Sequence, residues 1–285
     1  MNKVHIFDKR LLKKAGQIFT FITGVISFIL LFVDIPRQHK IMALIIVLVI
    51  LLIAYFIYWC VARKQRRILL KFGESEVEVY FGDIFRSNSE DLKVISFNEY
   101  FDTQVGGKNQ IISPGTINGK YLTKFKDKIP EIDALIRRDK HLNSDMALQT
   151  EFFRRKGMKK RFRLGSLIEL PDNYIAVAGS KFDRDNRANT TMKEYIGFLL
   201  TFWSEVDRIY NNRSVVIPVF GSGILRFTDG YEGASAQDLL EIIIWTFKIS
   251  RIKIEYPSRI KIVVFENKSD KYNLIKLKEI EKDGL

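Results

Sequence analysis

Two apolar runs without a formal charge occupy most of the first quarter of the chain: residues 15–33, AGQIFTFITGVISFILLFV, and residues 41–62, IMALIIVLVILLIAYFIYWCVA. As helices rising about 1.5 Å per residue they reach roughly 29 and 33 Å, against a hydrocarbon core of about 30 Å. Neither run shows a polar face, so a helix lying flat in a membrane interface is the weaker assignment. Two such runs separated only by DIPRQHK, with nothing comparable downstream, argue against a pair of buried core helices and predict a transmembrane hairpin.

The flanks give the hairpin an orientation. Lys3, Lys9, Arg10, Lys13 and Lys14 precede it and Arg63, Lys64, Arg66, Arg67 and Lys71 follow it, whereas the joining loop carries only Arg37 and Lys40. By the positive-inside rule both ends face the cytoplasm and the loop, turned at Pro36, faces outward. A cleaved signal peptide is not expected, because the first run is too long for an ordinary h-region and a second span follows at once. Tyr55, Tyr58 and Trp59 sit where an interfacial aromatic belt would lie, and Cys60 beside them is either an acylation site or an inert thiol.

Residues 1–71 hold 12 of the 46 Lys and Arg but only Asp8 and Asp34 among the acids, which accounts for +10 of the formal charge of +13. The rest of the chain is close to neutral, so the basic balance does not imply a nucleic-acid-binding body. A single cysteine excludes an internal disulfide framework. Three scattered histidines, His5, His39 and His141, without companion cysteines predict no metal site.

From about residue 72 the pattern becomes short apolar runs alternating with helical periods, as in an α/β layered domain. Expected strands are 76–81, 92–97, 163–170, 174–178, 214–219 and 260–265, the last three apolar enough to be buried on both faces and so central. Thr191 and Glu194 have capping-box spacing ahead of a helix running to about Tyr210, and Ser235 with Asp238 caps a helix over 236–249. A more polar stretch, 120–156, also reads as helical. The expected organisation is a membrane anchor over 1–71 and a cytosolic domain over 72–285.

The loops after the strands carry the candidate ligand residues. Strand 214–219 runs into FGSGILRF, where Gly221 and Gly223 flank Ser222 before Ile224, a loop able to present backbone N–H groups to phosphate. It lacks the Gly-Lys-Ser/Thr of a Walker loop and the third glycine of a dinucleotide fingerprint. FGDIF at 81–85 follows the first expected strand and FNEYFDT at 97–103 the second, placing Asp83, Asn98 and Asp102 after strand ends.

A strand ending in Gly-Asp-Ile, an Asn-containing loop, a Gly-Ser-Gly-Ile loop after a buried strand and a final strand reading VVFENKSDKY together resemble macro domains, which bind ADP-ribose and its derivatives. With NEYFDT and a hairpin ahead of the domain, the chain is similar to the membrane-anchored macro-domain effectors of bacterial Thoeris antiphage defence, over about residues 76–275.

The resemblance implies a macro-like α/β domain, a mixed central sheet flanked by helices, behind the hairpin. It implies a non-enzymatic receptor, without cofactor or catalytic residue, for an ADP-ribose derivative. The implied signal is histidine-ADP-ribose made by a TIR-domain partner. The implied response is homo-oligomerisation and disruption of the lipid bilayer of the bacterial inner membrane, which halts growth or kills the cell.

By motif, Asp83 would accept from the adenine amino group and Ile84 would line that pocket. Asn98 to Asp102 would border the distal ribose, Gly221 to Ile224 would wrap the diphosphate, and Phe265 would stack on adenine. Relatives often have a Ser-Leu-His-Gly segment where this chain reads TINGKYL, so Asn118 stands in place of that histidine and signal specificity could differ. The loop FNEYFDTQVGG keeps only part of the Asn-Ala-Ala-Asn arrangement of hydrolytic macro domains.

The basic run RRKGMKKRFR at 154–163 reads by default as solvated surface, with anionic lipid as a second reading and nucleic acid last. The alternatives to a receptor are a membrane-tethered ADP-ribosyl hydrolase using water near Asn98 and Asp102, and a scaffold that binds no nucleotide.

Overall fold

The computed structural model describes residues 3–33, 35–108, 110–183 and 185–282; Asp34, counted above in the charge of the first quarter, lies outside them. The two apolar runs form α1 (Lys9–Leu30) and α2 (Lys40–Lys64), joined through a 3-10 turn at Arg37–His39 that Pro36 precedes. Both are long and apolar enough to cross a membrane, and only 6% and 0% of their most apolar windows is buried, so neither is a core helix of the body. Their base is nevertheless fastened. Val4, Leu11 and Ala62 form a small buried cluster against Tyr58, Trp59 and Ile275. The Tyr55 hydroxyl donates to the Ile6 carbonyl and Trp59 Nε1 to the Val4 carbonyl at 3.1 Å, so two of the residues expected to form an aromatic belt have partners in the protein itself.

After α2 the chain passes through only Gln65 and Arg66 into β1 (Arg67–Phe72), which the sequence reading did not anticipate because its alternation is hidden in a basic stretch. β1 pairs antiparallel with β2 (Ser75–Gly82), and β3 (Leu92–Asn98) follows. The stretch expected to be one helical region divides into α3 (Ile117–Lys124), α4 (Ile129–Arg138) and α5 (Lys140–Ser144), then turns into β4 (Ala147–Thr150). Pro130 in the first turn of α4 and the Asp139 cap of α5 account for those breaks.

β4 forms a separate hairpin with β5 (Lys160–Phe162), and β6 (Leu167–Leu170) pairs antiparallel with β7 (Tyr174–Phe182). The strand expected over 163–170 is therefore shorter, because Gly165 at φ +93° turns the chain before Leu167. β8 (Ala188–Thr190) leads into α6 (Met192–Ile209). β9 (Val215–Pro218), β10 (Arg226–Phe227), α7 (Ala236–Ser250), β11 (Ile260–Phe265) and α8 (Lys278–Lys282) complete the order.

The sheet runs β1-β2-β11-β9-β3-β7, with β6 along β7 and a short extension through β8 and β10. β2, β11, β9, β3 and β7 are mutually parallel, while β1 and β6 run antiparallel outside them, giving a mixed sheet. The three strands expected at the centre are β7, β9 and β11, and each is paired on both sides. The period of two divides their side chains between two cores. Val94, Ile175, Ile217 and Ile262 pack with Phe202, Trp203, Ile243 and Phe247 of α6 and α7. Ile95, Ala176, Val216 and Val263 pack with Tyr121, Leu122, Ile132 and Leu142 of α3, α4 and α5.

Both capping boxes are present. Thr191 Oγ1 accepts from Glu194 N at 3.1 Å and Glu194 returns the bond at 2.9 Å; Ser235 and Asp238 do the same for α7. Trp203 Nε1 donates to Thr246 Oγ1 at 3.0 Å in the buried seam between α6 and α7, satisfying the one polar atom of a wholly buried indole. Because the parallel strands all end at one edge, the loops after β2, β3, β9 and β11 gather there, where open α/β sheets bind ligands.

Candidate functional site

The parallel register of β2 and β11 sets Gly82 beside Phe265. Asp83 is thereby delivered next to the last aromatic of β11, and it caps a 3-10 turn over Ile84–Arg86 by accepting from Phe85 N at 3.0 Å. Around them lies a depression of about 480 Å³ whose lining includes Tyr80, Asp83, Arg86, Phe265, Glu266 and Asn267. Ile262 and Val264 of β11 are buried, whereas Phe265 is 42% exposed and offers a ring face to the depression. Ile84 is 3% exposed and belongs to the core beneath, so it supports the turn and is not part of the open lining.

The start of α3 reaches the same place, with Lys120 Nζ lying 5.1 Å from the Phe265 ring centroid. Thr116 caps α3 by accepting from Gly119 N at 3.0 Å, and Gly119 is required by a close approach. A Cβ there would sit 2.1 Å from the Ser113 carbonyl oxygen. Asn118, between them, is 4% exposed, and its Oδ1 has no hydrogen-bond partner among the described residues. A buried acceptor of that kind costs about 1–3 kcal/mol until a donor reaches it, which singles out Asn118 as a place where a ligand hydrogen would stabilise the fold.

The Asn98–Asp102 loop is built differently. Asn98 Oδ1 accepts from Tyr100 N at 3.1 Å and Asp102 N at 3.2 Å, while its Nδ2 donates to Asp102 Oδ2 at 2.8 Å. Asp102 is fully buried and takes the two ends of the Arg154 guanidinium at 2.6 and 3.1 Å and Met158 N at 2.6 Å. Arg154 also stacks over Tyr100, 3.8 Å from the ring centroid, with its side chain 5% exposed. The first residue of the basic run is thus an internal clamp and not solvated surface. Phe101 completes the turn at φ +53°. Glu99 beside it is pushed up to about 7 by burial, against the opposing pull of Arg161 and the Phe182 N–H. Asn98 and Asp102 therefore shape the loop, with their own polar atoms committed inside it.

The loop after β9 turns at Gly221, φ +78°, where a Cβ would press on Leu239 at 3.2 Å. Ser222 Oγ donates back to the Val219 carbonyl at 2.8 Å, and Gly223 and Ile224 are exposed. Lys268 Nζ donates to the Ser222 carbonyl at 2.8 Å, joining this loop to the segment that follows Phe265. Burial holds the Lys268 ammonium below the ordinary lysine range, and Lys271 adds repulsion.

The same segment reaches the hairpin. Glu266 pairs with Arg66 at 2.6 Å, the Tyr272 carbonyl accepts from Lys3 N at 2.7 Å, and Asn273 Nδ2 donates to Asp8 Oδ2 at 2.9 Å.

Of the residues singled out in the sequence, the structure brings Asp83 and Phe265 together around one depression and sets Asn118 in the first turn of α3, the helix whose Lys120 meets the Phe265 ring. It links Gly221–Ile224 to the depression through Lys268, and puts Asn98 and Asp102 in a buried network one loop away. Lys120, Arg154, Glu266 and Lys268 escaped the sequence reading. Lysines and arginines in polar stretches look solvated until the fold supplies their partners.

A family model described as Thoeris protein ThsA, Macro domain, matches residues 77–265. The Thoeris protein ThsA of Bacillus amyloliquefaciens (strain Y2) is 36% identical over 282 residues, covering 98% of this chain and 93% of its own. Among solved structures, the Oceanobacillus iheyensis macrodomain with ADP aligns at 14% identity over 76% of this chain and 98% of its own, with a TM-score of 0.49. A mutant of that macrodomain with ADPR aligns at 12% identity over 76% and 100%, also at 0.49.

Proposed function

The chain belongs to the ThsA macro-domain family of Thoeris proteins, its mixed sheet and flanking helices being the macro-domain α/β fold, and from that premise we propose that it is a membrane-anchored receptor and effector of antiphage defence. In this reading an ADP-ribose derivative, histidine-ADP-ribose supplied by a TIR-domain enzyme, occupies the edge where the parallel strands end. Adenine stacks on Phe265 beside Asp83, the diphosphate follows the Gly221–Ile224 loop, and a ligand donor meets Asn118. The hairpin anchors the chain in the inner membrane with both termini cytoplasmic. Occupancy drives self-association, and clustered hairpins disrupt the bilayer.

The observation that carries the reading is the single segment 265–273. It begins with the exposed ring of Phe265, holds the Gly-Ser-Gly loop through Lys268, and ends on the hairpin base through Tyr272 and Asn273. A ligand that orders the first two contacts acts on the third through eight residues of chain. Tethering in a bilayer raises local concentration, so a modest ligand-dependent contact suffices for large assemblies. The hydrolase alternative is disfavoured because the Asn98 amide and the Asp102 carboxylate are already bonded to one another, and Asp102 in turn to Arg154.

The test is thermal stability of the full chain in nanodiscs with ADP-ribose, histidine-ADP-ribose, cyclic ADP-ribose or NAD, followed by a check that each ligand is intact. At a hundredfold excess over Kd, binding adds about 2.7 kcal/mol and, at about 2–4 °C per kcal/mol for a domain of this size, raises Tm by roughly 5–11 °C. A selective rise with intact histidine-ADP-ribose supports the receptor. A consumed ligand transfers the argument to the enzyme, and no shift with any ligand removes nucleotide sensing.

A further inference from the structure

The hairpin of β4 and β5 carries a tip that the proposed receptor does not use. Antiparallel pairing of Ala147 with Phe162 and of Thr150 with Lys160 leaves residues 151–159 as the tip, which Glu151 N closes on the Lys159 carbonyl at 2.8 Å. At its end Phe152 is 73% exposed and Phe153 98% exposed, the latter with essentially its whole ring in water. Arg155, Lys156 and Lys159 surround them and are exposed, while Arg154 turns inward onto Asp102 and holds the tip in place. Lys159 Nζ additionally braces the tip from within, donating to the Phe152 carbonyl at 3.0 Å.

The tip also has a definite place in the fold. Asp102, its anchor, follows the carboxyl end of β3, and Phe162 N donates to the Glu99 carbonyl in the same loop at 2.8 Å. The membrane hairpin enters the body at that same edge of the sheet. Phe81 N, near the carboxyl end of β2, donates to the Arg66 carbonyl at 3.0 Å two residues after α2 ends. Two adjacent phenylalanines ringed by cations, held rigidly at the edge from which the spans depart, match an anionic bilayer surface. Apolar rings enter the acyl boundary and the cations meet headgroup charge.

We infer that the 151–159 tip is a second membrane contact, which docks the body onto anionic lipid headgroups with Phe152 and Phe153 inserted. The inference rests on the anchor part of the proposed function and is independent of any nucleotide.

The test is electron paramagnetic resonance on the full chain reconstituted in vesicles, with Cys60→Ser as background and a nitroxide on Phe153→Cys, Glu74→Cys or Ile50→Cys. Vesicles are either pure phosphatidylcholine or contain one quarter phosphatidylglycerol. The expected result is a label at 153 that, in anionic vesicles, collides several-fold more with oxygen and several-fold less with a water-soluble nickel chelate than the label at 74. Neutral vesicles or the triple substitution Arg155→Ser, Lys156→Ser, Lys159→Ser should abolish the difference. A label at 153 as wet as that at 74 in both vesicles, with 50 protected, overturns the inference and leaves the anchor standing. A wet label at 50 overturns the anchor and this inference together. Protection at 153 accompanied by label–label broadening overturns it in favour of a second copy of the chain as occupant.

Discussion

Asn273 Nδ2 donates to Asp8 Oδ2 at 2.9 Å, joining residues 265 positions apart and tying the segment after β11 to the foot of α1. Asn273 Oδ1 meanwhile accepts from Ile275 N and Lys276 N, so this one side chain both caps a turn and grips the hairpin.

The substitution Asn273→Asp separates those two roles. Its carboxylate keeps the capping acceptor but confronts Asp8 with like charge. Histidine-ADP-ribose affinity of the full chain should stay within about threefold, because the Phe265 depression is untouched, while ligand-dependent leakage from dye-loaded vesicles should fall at least about tenfold. Leakage equal to wild type would show that the hairpin takes its signal by another route.

Phe265 is exposed enough to lose its ring without opening a core. Stacking of a base on an aromatic ring contributes about 1–3 kcal/mol, so Phe265→Ala should weaken binding by roughly 5- to 150-fold in titration calorimetry with an unchanged melting temperature of the empty protein. Unaltered affinity would move the adenine away from β11.

Arg154→Met leaves the Asp102 carboxylate buried without its guanidinium. Breaking a buried pair by removing one partner costs about 3–5 kcal/mol, which a urea titration of the full chain in detergent would report as a lower midpoint. Arg154→Lys should recover only part of that, because a single ammonium cannot meet both Asp102 oxygens and stack on Tyr100. A midpoint unchanged in Arg154→Met would mean that the tip of the β4–β5 hairpin is not held by this clamp.

Burial penalises the charge of Glu99 and pushes its carboxyl up to about 7 in the folded chain, against 4.5 for an unperturbed glutamate. The folded state therefore binds the proton more tightly than the unfolded state. Stability contributed by the protonated form is full below about pH 4.5 and declines as pH rises through about 7. Glu99→Gln should remove that decline, making the variant more stable than wild type by about 2 kcal/mol at pH 8 relative to the difference at pH 5. Parallel pH–stability curves for the two chains would reject the assignment.

Much of the fold could be read from periodicity. The buried runs at 174–178, 214–219 and 260–265 are interior strands, and both capping boxes sit where Thr191 and Ser235 placed them. β1 was missed because RILLKF looks like the basic flank of a span, and its strand character comes only from pairing with β2. The long polar stretch dissolved into three short helices and a strand, since Pro130 and Asp139 end elements locally in ways that composition averages away. At the site, Gly-Asp-Ile and Gly-Ser-Gly stood out because turns need those residue types. Arg154, Lys120 and Lys268 did not, because what distinguishes them is a partner 52, 145 or 46 residues away.

Two residues separate α2 from β1, and the second of them, Arg66, already bonds β2 through its carbonyl. In the proposed membrane-anchored state, so short a connection leaves no flexible linker to absorb a motion of the stalk. A tilt or turn of the helical hairpin is carried straight into the sheet, and a shift of the sheet edge is carried back into the hairpin.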